Sequence, residues 1–245
     1  IITPPHGRET VPDVPNFSWA DYGMRAGLPR LLDLFRGLPV STSFNAGVID
    51  AYPQAAEAMR EAGWEFIGHG MHQKASNHVE GGEAALIAAS LDKIERFTGA
   101  RPRGWLSPGL RETVDTPDLL KANGVDYVCD WVVDDLPSWM TTKHGPLVAM
   151  PYNVEINDSI VYAIERHATG EMASRLAHTL KRFERECAGN PRVLALGLHP
   201  HLIAVPHRIH EMEAMIAMLK ASEEVVFTTG SAICDWFTAA QSPQD

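Results

Sequence analysis

Short apolar runs alternate with amphipathic stretches along most of this chain, and that alternation is the feature that most constrains its fold. Val193–Leu198 (VLALGL) has the composition of a buried strand, whereas Glu83–Thr98 carries apolar residues three or four positions apart, as a helix does. Strands that alternate with helices pair in parallel and carry the helices outside the sheet. We predict strands at 40–45, 64–68, 103–106, 126–129, 147–150, 160–162, 193–198 and 225–228, and helices at 51–62, 83–98, 116–123, 171–187, 208–222 and 231–239.

One α/β domain is predicted over residues 1–245, because no repeat, low-complexity tract or linker interrupts the alternation. Residues 1–20, rich in proline and polar residues, are predicted to form an irregular arm of that domain. The chain begins with Ile1 instead of Met, which indicates that natural sequence upstream of it is missing.

The choice of architecture lies between a closed or nearly closed barrel and an open doubly wound sheet. No GxGxxG or GxxxxGK[ST] motif follows any predicted strand, which speaks against the open sheet. Polar residues instead gather just after the strand ends, at His69, 107–111, 130–135 and His199. Residues in this position carry the chemistry of strand–helix barrels, so the barrel is favoured.

Composition narrows the partners and the cell compartment. The 31 acidic residues exceed the 21 Lys and Arg, and the net charge of −10 disfavours nucleic acids and anionic membranes as partners. Cys129, Cys187 and Cys234 lie far apart, which suits a reducing compartment better than a disulfide framework. No apolar run reaches the roughly 20 residues of a membrane span, and no secretory leader precedes the fold. We therefore expect a cytoplasmic protein.

Two histidines follow the predicted strand 64–68 in the sequence Gly68-His69-Gly70-Met71-His72. The flanking glycines let the backbone turn sharply beside the first imidazole. A histidine pair at this spacing could bind a divalent metal if at least one carboxylate joined it. The alternative is one functional histidine and one loop histidine.

Asp130 follows the predicted strand 126–129, and Asp134 and Asp135 come soon after it. Three carboxylates close together repel one another and raise at least one pKa, which is how a general base or acid near neutral pH is made. In the alternative, Asp134 and Asp135 only cap a turn before Pro137. Asp130, at the strand end, is the candidate base.

His199 lies at the end of the predicted apolar strand 193–198 and is followed by Pro200 and His201. Imidazole has the pKa required of a proton donor to a leaving group, so His199 is a candidate general acid. The alternative for His199 is a hydrogen-bonded core histidine, and His201 is open to both interpretations.

Further residues could bind substrate. Tyr22 and Arg25, at the entrance to the first helix, could hold an amide or carboxylate, or could be a helix cap and a surface arginine. Trp105 could be an apolar pocket wall or part of the core, and the same applies to Trp131 and Trp139. No GxSxG elbow or Cys/His arrangement supports a covalent mechanism. The remaining candidate catalytic groups are carboxylates and histidines, which would activate water for attack on an amide or ester, with or without a metal.

Five blocks taken together resemble the polysaccharide deacetylase superfamily, the NodB-homology fold, and within it the branch of allantoinase and related cyclic-amide hydrolases. They are Glu65–His69 (EFIGH), Arg103–Gly109 (RGWLSPG), Tyr127–Pro137 (YVCDWVVDDLP), Met150–Asp158 (MPYNVEIND) and Gly197–Ile203 (GLHPHLI). The resemblance covers nearly the whole chain and implies a distorted (β/α) barrel that hydrolyses a non-peptide C–N bond. A small cyclic or linear amide is the expected substrate. The alternatives are a metal-dependent deacetylase of N-acetylated sugars and a non-catalytic, ligand-binding family member.

The resemblance also implies roles for single residues. His69 matches the first histidine of the family's H-[ST]-x-x-H metal segment, whereas Gln73 occupies the position of the second, with His72 one residue earlier. The family's first-strand Asp pair has no counterpart, so we expect the chain to lack that strand. His199 matches the family's late general acid. Two cofactor alternatives follow: one divalent metal, most simply Zn²⁺ bound by His69 and His72, or catalysis without a metal.

The resulting hypothesis is that Asp130 activates water, His199 protonates the departing nitrogen, and His69 binds metal or polarises the carbonyl. It depends on these three residues lying around one cavity at the same mouth of the barrel. The expected partners are a small amide and a second copy of the chain, which would cover the open strand edge, with neither nucleic acid nor membrane. The residues expected to hold the substrate are Tyr22, Arg25, Trp105, Asn157 and Asp158.

Overall fold

The computed structural model describes residues 12–74 and 81–243. The chain forms two compact units. The first, here called the helical unit, contains the residues up to Arg36 and Asn153–Val226. The second, the sheet unit, contains Gly37–Tyr152 and the residues from Phe227 onward. The predicted single domain stays a prediction, and each unit is described by itself.

Helices alternate with strands between residues 28 and 128, as predicted. Glu83–Thr98 has the bounds that the spacing of its apolar residues predicts, and Gly99, with φ +80°, ends it in the left-handed conformation that glycine favours. In the described residues the helices are α1 (Val14–Tyr22), α2 (Leu28–Leu34), α3 (Val48–Ala51), α4 (Pro53–Glu61), α5 (Glu83–Thr98), α6 (Thr116–Ala122), α7 (Glu171–Glu186), α8 (Ile209–Lys220) and α9 (Gly230–Ala240). None of these is both long and apolar enough to cross a membrane.

All six strands of the described residues belong to one sheet in the sheet unit. Its order is β1-β2-β3-β4-β6-β5, with every pair parallel except β5 and β6. Gly68 lies opposite Trp105, and Trp105 lies opposite Val128. The strands are β1 (Ser41–Phe44), β2 (Glu65–Gly68), β3 (Gly104–Trp105), β4 (Tyr127–Val128), β5 (Ser138–Thr142) and β6 (Gly145–Ala149). The sequence predicted all of them except β5, which forms an antiparallel hairpin with β6.

The centre of the sheet is buried on both faces, as parallel sheets usually are. Along β4, Tyr127 packs in one apolar cluster and Val128 in the other, because successive side chains point to opposite faces. Gly68 makes room for the fully buried Trp105, since a Cβ on Gly68 would lie 2.4 Å from its ring. Gly104 does the same for Tyr127, at 2.2 Å. These glycines let two large aromatic residues fill the core beside the strands.

Several sequence predictions are wrong. Residues 160–162, predicted as a strand, lie in the π-helical segment Ser159–Ile164, whose first turn is capped by Asn157 Oδ1. Residues 193–198 form only one parallel bridge, between Gly197 and Asn157, and 225–228 have no strand partner among the described residues. An apolar run indicates burial, but a strand also needs a neighbour with which to pair.

The predicted irregular arm is also partly wrong. Residues 14–20 belong to α1, because Asp13 accepts a hydrogen bond from Asn16 N and Pro15 occupies the first turn. The proline content was interpreted as irregular structure, although proline near a helix start favours the helix. Residues 1–11 of the predicted arm lie outside the described residues.

Candidate active site

His69 comes directly after β2 and is buried, with 8% of its surface exposed. Its Nδ1 lies 2.5 Å from the backbone oxygen of Leu106. A carbonyl oxygen can only accept, so Nδ1 carries the proton and the lone pair of the neutral ring is on Nε2. Backbone bonds from Ala46 N to Gly70 O and from Gly47 N to Met71 O, both 2.9 Å, hold the loop that follows. His69 is therefore fixed in both orientation and tautomer.

Asp130 comes directly after β4, and its Oδ1 accepts a hydrogen bond of 2.7 Å from Ser107 N–H. This N–H belongs to the same peptide group as the Leu106 carbonyl that accepts from His69. His69 and Asp130 therefore bind the two sides of one peptide group, which lies just beyond the end of β3.

Glu112 is the neighbour of Asp130 that the sequence did not identify. Trp131 Nε1–H donates to Glu112 Oε1 at 2.6 Å. Glu112 Oε2 and Asp130 Oδ2 are buried, and no N–H or hydroxyl of the described residues reaches either oxygen. Each carboxyl group shifts the pKa of the other by hydrogen bonding. Two carboxylates cannot hydrogen-bond each other, so this bond requires a proton on one of the two.

The proton is assigned to Glu112. Burial, together with the negative charge of Asp130, raises the pKa of Glu112 to about 8. Burial also raises the pKa of Asp130, although its bond from Ser107 opposes that shift. At neutral pH Glu112 therefore holds a proton, and the negative charge that helps to raise its pKa is that of Asp130. Asp130 accepts from Ser107 N–H and interacts with Glu112, and its predicted role in activating water stays a prediction.

A third carboxylate, Glu83, lies at the start of α5 and accepts from the hydroxyls of Thr113 and Thr116, each at 2.5 Å. Its charge adds to the upward shift of the Glu112 and Asp130 pKa values. The predicted neighbours of Asp130 are therefore wrong. Asp134 instead accepts from Leu136 N at 3.2 Å, which is the turn that the sequence left open as an alternative.

In the helical unit, His199 is bound to the fully buried Asp158 twice. Its Nδ1 lies 2.6 Å from Oδ1, and its backbone N–H donates to Oδ2 at 2.7 Å. Burial would lower the pKa of His199, but the hydrogen bond and the charge of Asp158 outweigh it and raise that pKa. The His199 side chain is 38% exposed. It is thus an oriented imidazole that keeps its proton to higher pH than a free one and can give it to a ligand.

Glycines in the first helical segment support the loop that carries His199. Between α1 and α2 the chain is π-helical over Gly23–Gly27. A Cβ on Gly27 would lie 2.2 Å from Pro200 O, and one on Gly23 would lie 2.8 Å from His201 N. These two glycines therefore allow the helix to approach the residues that directly follow His199.

His201 is held differently from His199. Its ring packs edge-on against Trp19, with 4.8 Å between the ring centres. Burial, with a contribution from the charge of His199, lowers the pKa of His201 to about 4. His201 is therefore neutral at physiological pH, as expected for a packing residue.

Most residues predicted to bind substrate have other partners. Tyr22 Oη accepts from Arg30 at 3.0 Å, and Arg25 is an exposed residue paired with Asp21 at 2.5 Å. Trp105 is fully buried in the core of the sheet unit, the second of the two alternatives for it. Asn157 caps the π-helical turn and Asp158 orients His199, and the predicted substrate contacts of these two residues stay predictions.

The described residues do not fit a metal site. Such a site needs about three protein ligands, and no group of three or more His, Cys, Asp or Glu in the described ranges is arranged to hold an ion. His72 is exposed, and a Cβ on Gly47 would lie 2.8 Å from its ring. Residues 75–80, which include His78, are not among the residues that the structure describes. We derive no step through a metal.

Comparisons with known proteins agree with this fold. Residues 18–128 match the family model of polysaccharide deacetylases. A putative polysaccharide deacetylase of Schizosaccharomyces pombe is 27% identical, over 89% of this chain and 75% of that protein. The crystal structure of PuuE allantoinase is 28% identical with a TM-score of 0.85, over 93% of this chain and 77% of that one. A probable polysaccharide deacetylase from Pseudomonas aeruginosa is 27% identical with a TM-score of 0.86, over 97% and 80%.

The chain is similar to the polysaccharide deacetylase superfamily over residues 18–128, and its fold is the distorted (β/α) barrel of the NodB-homology type. The predicted resemblance and fold class are confirmed. The predicted meeting of His69, Asp130 and His199 stays a prediction, since His199 lies in the helical unit and the other two lie in the sheet unit. Of the groups that shift the pKa of Asp130, the sequence missed Glu112 and Glu83. The set of polar residues predicted after β3 comprised residues 107–111, and Glu112 is the next residue in the chain.

Proposed function

We propose that this chain hydrolyses a non-peptide carbon–nitrogen bond in a small cyclic or linear amide, as an allantoinase does. The pair formed by His199 and Asp158 carries this proposal. Breaking an amide C–N bond requires a proton on the departing nitrogen, and an imidazolium with a raised pKa supplies it near neutral pH. The likeness to PuuE allantoinase supports the choice of substrate class, because 93% of this chain is covered at 28% identity.

In the proposed reaction, His69 takes the proton from the attacking water. Its Nδ1–H is bound to Leu106 O, so the ring accepts at Nε2. The water oxygen forms a bond to the amide carbon, the C–N bond breaks, and the proton of His199 moves to the nitrogen. Each histidine then returns to its starting state by proton exchange with solvent. His69 thus replaces Asp130 as the base, and Asp130 supports it.

The test is turnover of the His199→Ala variant on a panel of cyclic and linear amides. Removing the acid should lower kcat by about 10²- to 10⁴-fold, the usual contribution of a general acid, without unfolding the protein. His210→Ala is a matched control, because His210 is an 82% exposed histidine of the same unit and pairs only with the neighbouring Glu213 in the described structure. Wild-type turnover in His199→Ala would remove His199 from the mechanism.

A second candidate is deacetylation of N-acetylated sugars, which the match to the polysaccharide deacetylase family model favours. The same assays should therefore include N-acetylated sugars, and the purified protein should be analysed for metal and assayed before and after chelation. Sugar deacetylation that is lost on chelation would favour this candidate over the amide. Binding of small amides without turnover would indicate the third alternative, a non-catalytic family member.

A further inference from the structure

The Leu106–Ser107 peptide group lies where β3 would continue between its two neighbours. Ladder bonds hold the preceding peptide group, Trp105–Leu106, on both sides: Leu106 N donates to Gly68 O at 3.0 Å, and Cys129 N donates to Trp105 O at 2.9 Å. At the next peptide group, Leu106–Ser107, side chains take the place of the backbone groups of the neighbouring strands. His69 binds the carbonyl on the β2 side, and Asp130 binds the N–H on the β4 side.

This arrangement couples the two side chains electrostatically. A carboxylate that accepts from the N–H of a peptide group increases the negative charge on the oxygen of the same group, because hydrogen bonds in a chain polarise one another. That oxygen is the acceptor for His69 Nδ1–H. Asp130 therefore acts on His69 through the peptide, as a carboxylate acts on a functional histidine that it touches directly.

Glu112 controls the state of Asp130. Its carboxyl group faces the Asp130 carboxyl group, and the two oxygens without another donor, Glu112 Oε2 and Asp130 Oδ2, are both buried. Trp131 holds the far side of Glu112, and Glu83 adds a second negative charge from the start of α5. In this setting a proton on Glu112 keeps the pair together, and its loss sets two buried carboxylates against each other.

We propose that Glu112 is a positioning residue for His69, acting through its shared proton with Asp130 and through the Leu106–Ser107 peptide group. The inference rests on the proposed function only where turnover is measured. The tautomer of His69 and the proton on the carboxyl pair are properties of the protein alone. As the pH rises past about 8, Glu112 loses its proton and the support of His69 weakens.

The test compares Glu112→Gln with Glu112→Ala. The Gln amide donates an N–H to Asp130 at every pH, so this variant should keep turnover and lose the part of the decline above about pH 8 that Glu112 causes, whereas the decline from His199 remains. The Ala variant should lose about 10- to 100-fold in turnover, the usual effect of removing a partner of a functional histidine. Glu57→Gln is the matched control, because Glu57 is an exposed residue on α4 that pairs with Arg60.

Two spectroscopic readouts separate positioning from a purely structural role. Nitrogen NMR of histidine-labelled protein, assigned with a His69→Ala variant, should show the Nδ1–H form of His69 in wild type and Glu112→Gln but a mixture in Glu112→Ala. Infrared spectra should show a protonated carboxyl at pH 7 that disappears in Glu112→Gln. If Glu112→Ala does not fold, this infrared signal and the pH profile of Glu112→Gln still test the proposal.

The outcomes are distinct. A protonated carboxyl and a Glu112-dependent tautomer in a protein that hydrolyses no amide would support this inference and refute the proposed function. An unchanged His69 tautomer in folded Glu112→Ala would overturn the inference. An alkaline decline in Glu112→Gln identical to that of wild type would also overturn it.

Discussion

Replacing Gly27 by Ala tests whether close approach of the first helical segment holds the His199 loop. The added Cβ would lie 2.2 Å from Pro200 O and 2.7 Å from Pro200 C. Both are backbone atoms, so no side-chain rotation relieves the overlap and the two segments must move apart. Overpacking of this kind costs about 1–3 kcal/mol, and the size of the overlap indicates the upper end of that range. Alanine favours a helix over glycine by about 1 kcal/mol, which leaves a net loss of about 2 kcal/mol.

The assay is urea unfolding followed by circular dichroism, together with turnover. Gly27→Ala should lower the unfolding midpoint at constant m-value and should reduce turnover, because Pro200 directly follows His199. Gly189→Ala, in the same unit, is the control, since a Cβ there meets nothing within 4 Å. If Gly27→Ala matches Gly189→Ala in both midpoint and turnover, the close packing at Pro200 does not hold the loop.

Two further predictions concern the partner of His199 and the role of Trp105. Asp158→Asn should lower kcat by about 10²- to 10⁴-fold. It should also move the alkaline limb of the pH–rate profile to lower pH, because the carboxylate that raises the pKa of His199 is gone. An alkaline limb at the wild-type pH would contradict this prediction. Trp105→Phe should lower the free energy of unfolding in urea by about 2 kcal/mol and leave KM unchanged. The smaller ring leaves space in a fully buried site, and the 3.0 Å bond from Trp105 Nε1 to Ser107 Oγ is lost. A raised KM at wild-type stability would instead indicate a substrate contact.

The fold was predictable from the sequence where local pattern and pairing agree. The helix at Glu83–Thr98 has apolar spacing that only a helix satisfies, and its ends were predicted to the residue. The run at 193–198 has the composition of a strand, but composition does not specify a pairing partner, and only Gly197 pairs. The π-helical segment at 159–164 depends on the cap from Asn157. A single capping residue is a weaker signal in a sequence than an apolar run, and the apolar run predicts a strand here.

The site was predictable only in part. His69, Asp130 and His199 stand out because each directly follows a predicted strand. Asp158 stood out as well, but for substrate binding, because its contact with His199 joins positions 41 residues apart. Glu112 could not be recognised in the same way. Its significance comes from one buried carboxyl group meeting another from a separate loop, and neither spacing nor composition records that contact.

The acceptors of the two histidines explain why they are assigned opposite roles. Each ring donates from Nδ1, so the proposed reaction assigns proton transfer to Nε2 in both cases. The acceptor for His199 is a carboxylate, and its full negative charge stabilises the imidazolium, so His199 is suited to give a proton. The acceptor for His69 is a neutral carbonyl, which fixes the ring without placing a full charge against it, so His69 is suited to receive one. In the proposed reaction, two residues of the same type would thus serve as acid and base because of what each Nδ1 touches, since different surroundings push the pKa values of like groups apart.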